Sequence, residues 1–165
     1  MFGLAPAFAL DAVSLERSYR EIQSQIHPDR YAHAGDAERR ASMQWTTRVN
    51  EAYRTLKSPV QRAKYLLEMN GVDVGFETNT QMPTDFLLRQ LELREELEAA
   101  MQKKDSALLD ALRGTIAGEK ILLENQIAEG IDKRKDFAGS AGPVRKLMFL
   151  DRLIEEIDSA YEEIE

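Results

Sequence analysis

Apolar residues recur at intervals of three and four along almost the whole chain, and that period admits helices and little else. No run alternates Val, Ile or Thr with polar residues, and no Asn-Gly or Asp-Gly pair sits between two such runs. The expected fold class is therefore all-α. The first helix should run from about Asp11, a good N-cap, to Ile26, with Ala12, Leu15, Tyr19, Ile22 and Ile26 as one stripe. It must end where His27 precedes Pro28, because the residue before proline is pushed out of the α region. A loop over Tyr31–Gly35 leads to a second helix from about Asp36 to Lys57, with Trp45, Val49, Ala52 and Leu56 inward. Ser58-Pro59 opens a third, carrying Ala63, Leu66 and Leu67, which stops at Asn70-Gly71.

Residues 71–83 read as a connector, with Gly71, Gly75, Thr78, Asn79, Thr80 and Pro83. Three more helices follow, from about Thr84 to Lys103, Asp105 to Lys135 and Pro143 to Ile164, with Phe137–Gly142 as a turn. Leu109, Leu112, Ile116, Leu123 and Ile127 should face inward from the middle one, and Leu147, Leu150, Ile154, Ile157 and Tyr161 from the last. Gly114 and Gly118 either weaken the middle helix or admit a close neighbour. Short turns predict an antiparallel three-helix bundle over 84–165, separate from a first domain over 1–70.

Charge and composition narrow the function. Residues 1–70 hold ten Lys and Arg against eight Asp and Glu, a net of +2, whereas residues 71–165 hold twelve against twenty-one, a net of −9. An acidic second half repels phosphate, so no nucleic-acid partner is expected, and a partner with basic residues is favoured. No apolar run nears the ~18 residues that span a membrane. The start, MFGLAPAFALD, lacks the basic region of a secretory signal. With no cysteine and two histidines, neither a disulfide nor a thiolate or His-rich metal site is available, and a reducing compartment fits. No cofactor, metal or catalytic residue is expected, and a cytoplasmic location is.

His27-Pro28-Asp29 stands between two amphipathic helices. Pro28 fixes φ and withholds a donor, so the turn is stiff, and Asp29 can be held outward as a carboxylate for an arginine of another protein. His27 adds a donor or acceptor at its rim. Read blandly, the tripeptide only ends one helix and caps the next. As an acid–base pair it would lack a nucleophile and an oxyanion donor. Arg17, Arg20 and Ser24 lie opposite the first helix's apolar stripe, with Glu16 and Glu21 beside them, as a contact face or simply a solvated one.

The helix from Thr84 poses a separate question. At about 100° per residue, Phe86, Leu93, Leu97 and Ala100 share its core face, which leaves Leu87, Leu88 and Leu91 on the flanks and the far side with Glu92 and Glu95. Phe149 in the last helix likewise points away from Leu147, Leu150 and Ile154. Such residues either pack against the first domain or a second copy, or form an apolar patch rimmed by carboxylates for a partner.

The Tyr-x-x-Ile-x-x-x-Ile stripe, the His-Pro-Asp-Arg turn and the run Asn50-Glu51-Ala52-Tyr53 with Leu56 together resemble the J domain of DnaJ-type co-chaperones. Arg30 stands where that family commonly has lysine. Three further stretches make the whole chain similar to the HscB family, the J-type co-chaperones of iron–sulfur cluster assembly. They are Arg62-Ala63-Lys64-Tyr65-Leu66-Leu67 with Gly71-Val72, Gln90–Leu97 and Arg145–Asp151.

That resemblance implies an L-shaped adaptor that is not itself an enzyme. Its J domain, through His27, Pro28, Asp29 and Arg30 and a basic face including Arg17 and Arg20, engages an HscA- or DnaK-type chaperone and speeds its ATP hydrolysis. Its bundle binds the scaffold protein IscU through Leu87, Leu88, Leu91, Glu92, Glu95 and Phe149. Ala99 replaces one acidic position of that surface, which lowers the charge of its rim. The family also carries a short helix with an aromatic pair ahead of Phe2-Gly3-Leu4. This chain starts after it, so either the start is truncated or that helix is absent, and a missing apolar helix would cost the small J core some stability. A monomer is expected. A J protein serving another client and a silent helical oligomerisation module with a chance His-Pro-Asp remain as alternatives, the second hiding Leu87, Leu91 and Phe149.

Overall fold

The computed structural model of the protein describes residues 1–75 and 82–164. Six α-helices and no strand are found among them: α1 (Ala12–Ile26), α2 (Asp36–Lys57), α3 (Pro59–Met69), α4 (Thr84–Lys103), α5 (Ser106–Ala128) and α6 (Phe137–Ile164). By contact density the chain divides into two compact units, Met1–Leu66 and Leu67–Glu165. The division falls inside α3, ahead of the boundary at residue 70 expected from the sequence.

In the first unit α1 and α2 pack as a hairpin. Asp11 caps α1 by accepting from the Val13 amide at 3.1 Å. The core joins Phe2, Leu15 and Val49 to the half-buried Tyr19, Ile22, Ile26, Ala52, Tyr53 and Leu56. Trp45, expected inward, is instead 50% exposed, with the Arg48 guanidinium 5.8 Å above its ring. Ser42 takes the inward place on that turn, and its hydroxyl donates to the Ile26 carbonyl. Periodicity alone favours the larger apolar residue; the unpaired carbonyl at the end of α1 favours the hydroxyl. The segment ahead of α1, unassigned from the sequence, supplies Phe2 and Phe8 to the interior. Arg62 pins it, with Nε donating to the Phe8 carbonyl at 2.7 Å and the guanidinium lying 4.9 Å over the Phe8 ring.

α3 ends as expected at Asn70-Gly71, where Gly71 takes φ +73° and the Val72 amide reaches the Leu67 carbonyl at 2.9 Å. Of the expected connector, residues 76–81 lie outside the described residues. Its first part is bound within the second unit: Val74 is buried, and Arg145 Nε donates to its carbonyl at 2.7 Å.

The second unit is a three-helix bundle around Leu93, Leu97, Ala100, Leu109, Leu112, Ile116, Leu150, Leu153 and Ile157. Lys104, in the left-handed region at φ 50°, ends α4, and Asp105 caps α5 through the Ala107 and Leu108 amides. The expected helix to Lys135 is two pieces. After Ala128 the chain widens into a π-helical turn, Glu129–Arg134, closed by Lys135 at φ 55°. A Cβ on Gly130 would lie 2.3 Å from Ser140 Oγ, so that turn needs glycine where the start of α6 approaches.

Phe137–Gly142, expected as a turn, is the first part of α6. Asp136 caps it, accepting from the Gly139 amide at 2.8 Å, and Ser140 and Ala141 are buried. Pro143 therefore lies inside the helix rather than at its first turn. Burial and the cap override the glycines and the proline that suggest a turn. Gly114 and Gly118 stand differently, since an added Cβ at either meets nothing within 4 Å. No neighbour among the described residues explains them, although each costs α5 about 1 kcal/mol relative to alanine.

Candidate functional site

The His-Pro-Asp turn is built by satisfying the end of α1. The last carbonyls of a helix lack intrahelical donors. Here three successive ones find side chains from further along: Ser24 accepts from Arg30 Nη1 at 2.8 Å, Gln25 from the Tyr31 hydroxyl at 3.2 Å, and Ile26 from Ser42. Pro28–Tyr31 then forms a single 3-10 turn, with the Arg30 amide on the His27 carbonyl at 3.0 Å. Arg30, expected as a chaperone contact, thus also ties the turn to its helix.

The outcome is an outward carboxylate on a fixed base. The Asp29 side chain is 90% exposed and that of His27 53%. The Asp29 amide donates to His27 Nδ1 at 3.3 Å, which places the proton of a neutral ring on Nε2. Asp29 Oδ2 lies 3.5 Å from the same Nδ1. One lone pair cannot serve an amide donor and also carry a proton for the carboxylate, so the ion pair exists only in a protonated ring that has released the amide.

α2 is locked to α1 by the residues of the Asn50–Tyr53 run. Tyr19 and Tyr53 stack with ring centroids 3.9 Å apart, and Asn50 Oδ1 accepts from the Tyr19 hydroxyl and Gln23, each at 3.0 Å. The Tyr53 hydroxyl donates to Glu16, and with Arg20 on the same carboxylate it holds Glu16 below the usual glutamate range. Arg17 and Arg20 are both exposed on α1. Arg20 Nε is 2.9 Å from Glu16, so that face is partly neutralised.

On α4, Leu87, Leu88 and Leu91 are exposed, the last two by 58% and 56%. Phe149 is not beside them as a free ring. It is half-buried, edge-on to Phe86 at 5.8 Å, with the Arg94 guanidinium 5.7 Å from its centroid. The expectation that it points away from the core fails because the Phe86 ring supplies a seat off the Leu147–Leu150 stripe.

The rim is less acidic than its sequence suggests. Glu92 is bound by Arg89 Nη1 at 3.0 Å, and Arg89 also reaches Glu119 at 2.8 Å; both bonds raise the arginine's already high pKa. Lys146 lies 5.1 Å over the Phe86 ring. Glu95 is exposed, and Ala99 is half-buried. Sequence reasoning missed Arg89, Arg94 and Lys146, although Arg94 and Glu156 form a pair across 62 residues that no local pattern signals.

Among the described residues no group of three or more His, Asp or Glu side chains could hold a metal ion. Nor is any helix long and apolar enough to cross a membrane.

Comparison with known proteins finds similarity along the whole chain. The profile of the family described as HSCB C-terminal oligomerisation domain matches residues 82–158. The chain is similar to the co-chaperone protein HscB homolog of Aromatoleum aromaticum, with 44% identity over 165 residues, 100% of this chain and 93% of that one. It is 46% identical to the homolog from Burkholderia vietnamiensis, over 100% of this chain and 94% of that one. Among solved structures, chaperone HscB from Vibrio cholerae superposes with a TM-score of 0.85 at 31% identity, covering 99% of this chain and 96% of the other.

Proposed function

The chain belongs to the HscB family of co-chaperones, and on that premise we propose that it binds the iron–sulfur scaffold IscU, delivers it to an HscA- or DnaK-type chaperone and stimulates that chaperone's ATP hydrolysis. Membership itself carries a non-enzymatic co-chaperone role in iron–sulfur cluster assembly. The observation that carries the finer reading is the Asp29 carboxylate, 90% exposed on a turn behind which the last three helix carbonyls are occupied. A pre-organised carboxylate loses little entropy on meeting an arginine, which suits a contact that biases another protein's catalysis.

The J unit occupies residues 1–70, the bundle 84–165, and the segment between tethers one to the other. Leu87, Leu88 and Leu91, with the edge of Phe149, form the apolar centre of the scaffold contact, and Glu92 and Glu95 its rim. Arg17, Arg20 and Arg30 accompany His27, Pro28 and Asp29 toward the chaperone. Carrying both contacts on one chain raises the scaffold's local concentration at the ATPase. The protein works in the cytoplasm, and the cluster is the scaffold's cargo.

Single-turnover ATPase assays of the cognate chaperone test the first half: this protein accelerates hydrolysis and its His27→Gln variant does not. An unchanged rate with the wild-type chain would refute the J-domain role. Calorimetric titration with the scaffold tests the second. Undiminished affinity in Leu91→Ala and Leu88→Ala would remove α4 as the scaffold site while leaving the first half standing.

A further inference from the structure

His27 does at the start of the 3-10 turn what Asn, Asp or Ser commonly do at a helix N-cap: its side chain accepts from the backbone amide two residues on. Pro28 has no amide hydrogen, so the Asp29 amide is the first donor of the turn, and His27 Nδ1, 3.3 Å away, is its acceptor. An asparagine would cap as well. What an imidazole adds is a second nitrogen and a proton that comes and goes between about pH 5 and pH 8. The Asp29 carboxylate stands by the same nitrogen, with Oδ2 3.5 Å from Nδ1.

We propose that His27 is a positioning residue that acts through Asp29 only while its ring is neutral, so that acid disarms the turn. This rests on the chaperone reading given above. In the neutral ring the Nδ1 lone pair fixes the Asp29 amide, Nε2 keeps its proton as a donor, and the carboxylate is left outward for the partner's arginine. Protonation from solvent places a hydrogen on Nδ1. The lone pair is then gone, the amide loses its acceptor, and the new N–H is directed at Asp29 Oδ2 instead. The carboxylate that should meet the arginine is now paired within its own chain.

No other charged group competes for the ring, which among the described residues bonds to Asp29 alone. Within the turn, Arg30 is committed to the Ser24 carbonyl. On α2, packed behind the turn, Asp36 pairs with Arg39, Glu38 accepts from the Gly35 amide, and Arg40 is exposed. On α1, Arg20 pairs with Glu16, and Glu21 is exposed nearly two turns back. Because Asp29 is itself exposed, the internal pair is weak and the switch is graded rather than complete.

The concentration for half-maximal stimulation of single-turnover hydrolysis by the cognate chaperone should rise roughly threefold to fivefold between about pH 7.5 and pH 5.5. His27→Asn keeps an acceptor at the place of Nδ1 and takes up no proton. It should retain stimulation, weakened about fivefold to tenfold by loss of the Nε2 donor. The ratio of wild type to this variant across the pH range cancels the chaperone's own pH response. His27→Gln carries its oxygen one bond further out and should stay inactive throughout. In the full chain labelled with 15N and 13C, the Asp29 amide and carboxyl carbon should titrate together with the His27 ring. His33, the chain's other histidine, has Gly35 two residues on and supplies a reference without a carboxylate. An Asp29 amide that ignores the His27 titration overturns the proposal, as does an Asn variant as inactive as the Gln variant, or a ratio that does not change with pH. Wild-type chain that stimulates no chaperone at any pH removes the chaperone reading instead, and the spectra, which need no partner, still decide the chemistry of the turn.

Discussion

The turn of the first unit and the α4 face of the second, the two contacts proposed for this protein, are displayed in opposite ways. The turn is polar and is held from behind, with Arg30, Tyr31 and Ser42 occupying the final carbonyls of α1 while Asp29 stays in solvent. The α4 face is apolar and is held from beneath. Leu93 and Leu97 are buried, and Leu87, Leu88 and Leu91 ride on the same rigid helix. A hydrogen-bonded turn places one carboxylate with directional accuracy. A helix anchored by burial offers area, and area tolerates a partner that adjusts. The first suits a switch and the second suits a grip.

The sharpest test of that contrast uses two leucines of α4 two positions apart. Leu93→Ala should cost about 2–5 kcal/mol, because a fully buried side chain leaves a cavity among Leu97, Ile116 and their neighbours. Leu91→Ala should stay within about 0.5 kcal/mol of wild type in thermal unfolding, yet weaken scaffold binding roughly tenfold. If both changes shift stability alike, the face is not a display surface.

In the turn, Ser42→Ala leaves the Ile26 carbonyl with only the distant Thr46 hydroxyl, at 3.5 Å. It should destabilise the first unit by about 1–3 kcal/mol. Arg30→Ala should do less, because that bond is exposed. Both should raise the concentration needed for half-maximal ATPase stimulation. A normal value in both variants would mean that the turn needs no support from behind.

A smaller effect separates the rim carboxylates. Glu95→Gln should weaken scaffold binding by about threefold to fivefold, up to about 1 kcal/mol. Glu92→Gln, already held by Arg89, should do less, and the reverse ranking in titration calorimetry would show that Arg89 releases Glu92 on binding.

The smallest effect is in pH. The Ser14 hydroxyl and then the Val13 amide hold Asp11 below the usual aspartate range. A lowered folded-state value means that its stabilisation is present above the ordinary value of about 3.9 and is lost as pH falls through the lowered one. Asp11→Asn should therefore flatten the acid limb of the first unit's unfolding by lowering stability at neutral pH and leaving it little changed at the acid end.

Much of this molecule is decided by local chain chemistry and is legible in the residues. The end of α1 at His27-Pro28, the Asp11 and Asp105 caps, the stop at Gly71 and the core stripe Phe86, Leu93, Leu97 and Ala100 all follow from rules spanning one or two turns. So does the exposure of Leu87, Leu88 and Leu91, since helical period fixes which side of α4 they occupy. What period cannot supply is the identity of the neighbour across a gap. Trp45 is outside because Ser42 answers an orphan carbonyl on another helix. Phe149 is half inside because its ring packs at right angles against Phe86. Phe137–Gly142 is helical because Asp136 and burial outweigh two glycines and a proline. Local propensities differ by about 1 kcal/mol, whereas burial and satisfied polar groups are each worth that or more, so wherever the two disagree tertiary packing decides.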